Sequence, residues 1–242
     1  MTEVSDQKMA DHTVKAFDAD LAKMTRTIAD MGDLTEKQLK DAVDALLGRD
    51  LELAKTVIAR DENNESMQRG IETDATLLIA RRQPVAYDLR LIVAVWETAI
   101  ELRRVGALAR NIAKSVVTLG GDYETPQPAN ALRRFARAAS QRLREVVESV
   151  IRGDAAKAHS LWRTDNEIDE MYAGLCRELL TYMMADPTMS PSAVQLLFCA
   201  KNIELIGDHV TNIAEAAHYL AQGQRLSRGF ESPVAQPASA RT

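Results

Sequence analysis

The sequence predicts an all-α protein built as two tandem, pseudo-symmetric three-helix bundles. Among 242 residues, Gly numbers only 11 and Pro only 7, and aromatic residues reach 5%. A sandwich or barrel would therefore lack both its turn residues and its preferred strand formers. Apolar residues recur at alternating spacings of four and three, as in Phe17, Leu21, Met24, Ile28 and Met31, which draws one stripe along a helix. The second half also repeats the first. An offset of 104 pairs Asp154 with Asp50, Ala158 with Ala54, Asp165 with Asp61, Asp169 with Glu65 and Met171 with Met67. The offset then falls to 101, which sets Gly207 on Gly106 and Asn212-Ile213-Ala214 on Asn111-Ile112-Ala113. A loop three residues shorter before the last helix of the second unit accounts for the change.

The first helix follows the Phe17 stripe, with a kink expected near Gly32, as far as Leu46 and Leu47. Gly48 then serves as the C-terminal glycine and Asp50 as the N-cap of a second helix, about Leu51 to Arg82. Pro84 ends that helix and is expected in the first turn of a third, which reaches Leu119 and closes at Gly120-Gly121. Residues 122–130, with Pro126 and Pro128, read as a connector between a first repeat, 12–121, and a second, 131–223. The fourth helix holds Leu132, Phe135, Leu143 and Val147, and Gly153-Asp154 repeats the earlier turn. A fifth helix is expected to run unbroken to about Met184. Asp186-Pro187 and Ser190-Pro191 supply its stop and the start of the sixth. Residues 1–11 form an N-terminal extension, and the Ser-, Pro- and Arg-rich tail at 224–242 is expected to be disordered.

The formal charge of −5 argues against a nucleic-acid partner and against direct docking on an anionic membrane. No apolar run approaches the roughly 18 residues that span a bilayer. Residues 1–12 carry Glu3, Asp6 and Asp11 and no apolar stretch of a secretory signal, so a cytoplasmic location is expected. Cys176 and Cys199 lack metal or redox spacing and are expected to be structural.

Four carboxylates have helical spacing. Asp165 and Asp169 share one face of the fifth helix, and Glu204 and Asp208 share one face of the sixth. Such pairs are common on solvated faces. If the two helices are antiparallel neighbours, the same residues gather into a group that a hard or borderline cation would neutralise. In the first repeat Asp61 and Glu65 persist, but Arg103 and Ala107 answer Glu204 and Asp208. Arg103 is expected to pair with Asp61 or Glu65 in place of a metal. The shared Gly106 and Gly207 suit close helix approach or room for a bound group. A di-iron enzyme needs two Glu-x-x-His motifs, and only Glu215 with His218 has that spacing. No hydrolase elbow, phosphate loop or HExxH helix occurs, so no catalytic residues are assigned. Asp88-Leu89-Arg90 either opens the third helix or contacts a partner.

Several segments together resemble the PhoU family of phosphate-uptake regulators. They are His12-Thr13 with Phe17 and Leu21, Met31-Gly32, the run Arg82 to Arg90 that contains Pro84, the Asp165/Asp169 pair, and Asn202 to Ile213. The resemblance implies a duplicated three-helix bundle whose acidic motifs hold metal, here mapping onto Asp61/Glu65, Asp165/Asp169 and Glu204/Asp208. The implied metal is a divalent or trivalent ion such as Zn, Fe, Mn or Mg. It also implies a non-enzymatic homodimer that acts between the ATPase subunit of a phosphate ABC transporter and a phosphate-sensing histidine kinase, restraining uptake and the starvation response. Membrane contact would be indirect, through those partners.

Overall fold

The computed structural model describes residues 3–120, 123 and 128–226, with side chains from residue 16 onward apart from 189 and 190. Seven α-helices occur among them: α1 Glu3–Gly48, α2 Leu51–Arg82, α3 Ala86–Leu119, α4 Ala129–Arg152, α5 Ala155–Arg163, α6 Asn166–Ala185 and α7 Ser190–Gln222. A 3₁₀ turn, Pro187–Met189, precedes α7. Most of the expected connector, and the tail from residue 227, lie outside the described residues.

Helices α1, α2 and α3 pack on one another as one bundle, and α4, α5–α6 and α7 form the second. The bundles lie side by side, α1 against α4 and α3 against α7. One continuous apolar core runs through both, from Met24, Ile28 and Leu39 through Leu102 and Ile112 to Leu143, Ile206 and Ile213. No described helix is long and apolar enough to cross a membrane.

The repeat is visible in the turn chemistry. Asp50 caps α2 by accepting from the Leu53 amide at 2.9 Å, and Asp154 caps α5 by accepting from the Lys157 amide at 3.0 Å. In each turn the capping residue's own amide donates back five residues, Asp50 to Ala45 and Asp154 to Ser149, both at 2.9 Å. The left-handed residue this closure needs is Gly153 (φ 62°) in the second turn. In the first it is Arg49 (φ 58°), one residue beyond the expected Gly48, which stays helical. Arg49 is held there by donating to the Tyr123 carbonyl at 3.2 Å. Gly153→Ala adds a Cβ in the left-handed region and is expected to cost about 1–2 kcal/mol, read as a lower unfolding midpoint in urea.

Three other expectations change. Helix α1 is unbroken through Gly32, whose role is proximity: a Cβ there would stand 2.9 Å from Cγ1 of Val147 on α4. Pro84 lies in the link Gln83–Val85, outside the first turn of α3, after a left-handed Gln83 (φ 47°). The fifth helix is two helices, broken at Thr164 and Asp165. Buried Arg142 on α4 donates to the Leu161 carbonyl at 2.6 Å and to Thr164 Oγ1 at 2.9 Å. The backbone bonds that follow, Glu167 N to Thr164 O and Ile168 N to Asp165 O, close tighter three-residue turns. In the first repeat Gln38 occupies the answering place and donates to Val57 at 3.2 Å, and α2 continues unbroken.

Candidate functional site

The break between α5 and α6 sets Asp165 at the N-cap of α6 and Asp169 in its first turn. The opposite wall is α7. Gly207 lets it approach closely, because a Cβ there would sit 2.8 Å from Cγ2 of Ile168, one turn from Asp165. Asp165 is buried, and its Oδ1 accepts from Thr211 Oγ1 at 2.9 Å across the two helices. Glu204 is half-buried and pairs with Lys201 one turn earlier. Asp169 and Asp208 face solvent.

These four carboxylates feel one another. Partial burial, followed by the charges of Glu204, Asp165 and Asp169, pushes the Asp208 carboxyl above its ordinary value, and Lys201 offsets this only in part. The antiparallel arrangement therefore brings the two acidic pairs into a common field. In donor chemistry the group fits a hard or borderline cation. Among the described residues, however, no three His, Cys, Asp or Glu side chains converge as a formed metal group. Asp169 and Asp208 would have to turn inward to complete one.

The raised Asp208 value has a stability consequence. Between the ordinary carboxylate value and the raised one, the folded chain binds more protons than the unfolded chain. The stability this site contributes is thus present at acid pH and lost as pH rises through the raised value. Asp208→Asn is expected to raise the thermal midpoint at neutral pH, and the gain should shrink as pH falls below the ordinary carboxylate range. A midpoint lowered at neutral pH would contradict this electrostatic account.

The first repeat presents a different surface. Arg110, not the expected Arg103, donates to Asp61 Oδ2 at 2.5 Å. The two arginines are seven positions apart, about two helical turns, so they lie on one face of α3. Glu65 pairs with Arg69 on its own helix, and that bond first, then the charges of Arg103 and Arg110, lower its carboxyl below the usual range. Asp61 Oδ1 and Arg110 Nε are buried without hydrogen-bond partners. With guanidinium groups among the carboxylates, this half does not fit a metal ion. The repeat register holds the missed signal: Arg110 answers Thr211 at the offset of 101, and both reach the equivalent aspartate.

Other singled-out residues lie elsewhere. His209 Nδ1 is 2.6 Å from Glu101 Oε2 on α3, and Asn212 donates to the same oxygen at 3.0 Å. Burial raises the Glu101 carboxyl, but these hydrogen bonds together with the charges of His209 and Arg104 hold the group below its ordinary value. Both residues thus join the bundles and do not enter the acidic group. Glu215 accepts from Trp162 Nε1 at 3.1 Å, whereas His218 Nδ1 lies 3.0 Å from the Gln224 carbonyl, so this Glu-x-x-His pair does not converge. Arg90 Nε donates to the Leu220 carbonyl at 3.1 Å and ties the start of α3 to the end of α7. Asp88 supplies an acid in the first turn of α3.

The family model for the PhoU domain matches residues 28–116 and again 132–217, one match to each repeat. A phosphate-specific transport system accessory protein PhoU homolog of Rhizobium meliloti (strain 1021) is 44% identical over 212 residues, 88% of this chain and 90% of that protein. The phosphate-specific transport system accessory protein PhoU of Escherichia coli (strain K12) is 36% identical, over 88% of each chain. The crystal structure of PhoU from Pseudomonas aeruginosa superposes with a TM-score of 0.81 at 35% identity, covering 86% of this chain and all of that one. The phosphate transport system regulatory protein PhoU from Streptococcus pneumoniae gives 0.79 at 26% identity, over 87% and 99% of the two chains. With both repeats matched and the helical architecture shared over 86% of its length with a solved PhoU structure, this chain belongs to the PhoU family.

Proposed function

We propose that this protein is a non-enzymatic accessory regulator of phosphate transport. In this reading it links the ATPase subunit of a high-affinity phosphate ABC transporter to a phosphate-sensing histidine kinase, and restrains both uptake and the starvation response. The observation that carries the reading is the match across both repeats to proteins named as accessory to phosphate-specific transport. The chemistry agrees: long helical faces are offered to partners, and the perturbed groups serve helix junctions and an acidic cluster. A cytoplasmic homodimer that meets the membrane only through its partners suits an acidic chain whose described helices do not cross one.

A cation belongs to the same proposal. Asp165, Asp169, Glu204 and Asp208 would hold a divalent or trivalent ion such as Zn, Fe, Mn or Mg, a reading supported by the burial and the neighbouring carboxylate charges that push Asp208 upward. Its charge would relieve that repulsion and fasten α6 to α7. Asp88, half-buried in the first turn of α3, and Arg90 beside it are the partner contacts this reading assigns to the start of α3.

The test is crosslinked affinity capture of the tagged protein from cells grown in high and low phosphate. Recovery of the transporter ATPase or the sensor kinase, in amounts that change with phosphate, is expected. Recovery of neither under either condition would overturn the regulator reading.

A further inference from the structure

A groove of about 300 Å³ runs between α1 and α4 and is lined by none of the acidic-cluster residues. Its floor is Val43, Ala136 and Ser140. Its walls carry Lys40, Arg133, Arg137 and Arg144 against only Glu36 and Asp44. One of those carboxylates is already taken: Glu36 accepts from Arg144 Nε at 2.9 Å and from Ser140 at 3.2 Å. Arg133 and Arg137, and Arg134 beside them, are exposed and form no ion pair among the described residues, and the same holds for Lys40. This surplus of cations sits on a chain whose formal charge is −5.

The arrangement has a cost without a partner. Arg133 and Arg137 are one turn apart, so their like charges repel on one helix face, by a few tenths of a kcal/mol. On α1 only Asp44 lines the groove as an uncommitted carboxylate, against two guanidinium groups and Lys40. Between the charged walls the cleft of the two packed helices is narrow and shallow, its apolar floor, Val43 and Ala136, only 3% and 5% exposed. A third helix laid along that cleft would place an apolar stripe on Val43 and Ala136. Carboxylates one turn apart on its edge would match the one-turn spacing of Arg133 and Arg137, each guanidinium donating a bidentate pair of hydrogen bonds to one of them.

We propose that the α1–α4 groove docks an acidic amphipathic helix of a protein partner, read by Arg133 and Arg137 over the Val43–Ala136 floor. This rests on the groove alone, so it stands or fails independently of the transporter and kinase assignments.

The experiment uses the full chain and a fluorescein-labelled synthetic helix of about 18 residues, with glutamates at i and i+4 bordering a leucine stripe that carries one photo-crosslinking leucine analogue. The expected result is saturable binding, crosslinks to α1 or α4 around Val43 and Ala136, and a loss of affinity of about tenfold or more in Arg133→Glu/Arg137→Glu. Circular dichroism of that variant reports whether it is folded, and the crosslinks in the unaltered protein remain decisive if it is not. Absence of saturable binding, crosslinks elsewhere, or unchanged affinity in the folded variant overturns the proposal. So does equal binding of a scrambled peptide of identical composition, since charge alone would then explain the signal. Displacement by inorganic phosphate would make the occupant a small anion. A change in sedimentation of the variant without peptide would make it a second copy of this chain, and either outcome also overturns the proposal.

Discussion

Gly106→Ala is expected to destabilise the protein by about 2–3 kcal/mol, although alanine is the better helix former by about 1 kcal/mol. The added Cβ would lie 2.5 Å from Nδ2 of Asn64 and 3.2 Å from Oε1 of Gln38. Neither neighbour can give way cheaply. Asn64 is fully buried, donates to Gln38 Oε1 at 2.6 Å and accepts from Thr35 Oγ1 at 3.3 Å. Moving it breaks a polar network that joins α1 to α2 beneath α3, and leaves buried groups unpaired at about 1–3 kcal/mol each. Gly70, inside α2, has nothing within 4 Å of its Cβ position. Gly70→Ala is expected to stabilise the chain by up to about 1 kcal/mol. Urea unfolding of the two variants side by side therefore separates propensity from packing. If both substitutions moved the midpoint upward, close approach at Gly106 would not be its reason for being glycine.

Arg142→Leu is expected to cost a similar amount, about 2–4 kcal/mol, and to act at one place. The guanidinium holds the Leu161 carbonyl and Thr164 Oγ1, and one amino group lies 3.6 Å from Glu167. Its Nε is buried without a partner, so the leucine removes one unfavourable group while orphaning the Leu161 carbonyl. Arg142→Gln is the informative companion, because Gln38 makes the equivalent bond to Val57 in the first repeat. It should recover part of the loss. Arg142→Lys should recover less, since a single ammonium cannot span both acceptors. Hydrogen exchange across residues 164–168 gives the local readout: protection there should fall in the leucine variant and return in the glutamine one. Equal stability of the leucine and glutamine variants would refute the assigned role.

Both cases show where reading the chain reaches and where it ends. The repeat register placed Gly106 against Gly207 and marked both for close approach, and each proves to be such a point, against Asn64 and Ile168 respectively. Those two contacts are themselves equivalent, at the offset of 104. The capping aspartates Asp50 and Asp154 were legible for the same reason, since a cap is a bond between residues three apart. The break at Thr164 was not legible, because the donor that causes it lies 19 and 22 residues away on α4. Nor was the partner of Asp61: spacing proposed Arg103, and the choice of Arg110 depends on how α2 and α3 slide along each other.

By itself, then, the sequence determined the helical rods, their order and the duplication, though not the break between α5 and α6, because periodicity, caps and repeats are properties of neighbouring residues or of residues at one constant offset. It also carried the motifs by which the family was recognised. The tertiary structure decided which equivalent positions became chemically different. Thr211 touches one aspartate and Arg110 the other; the second repeat keeps an acidic cluster, while the first holds its carboxylates in ion pairs. Electrostatic character depends on distance and burial between helices. Those quantities exist only once the bundles have packed.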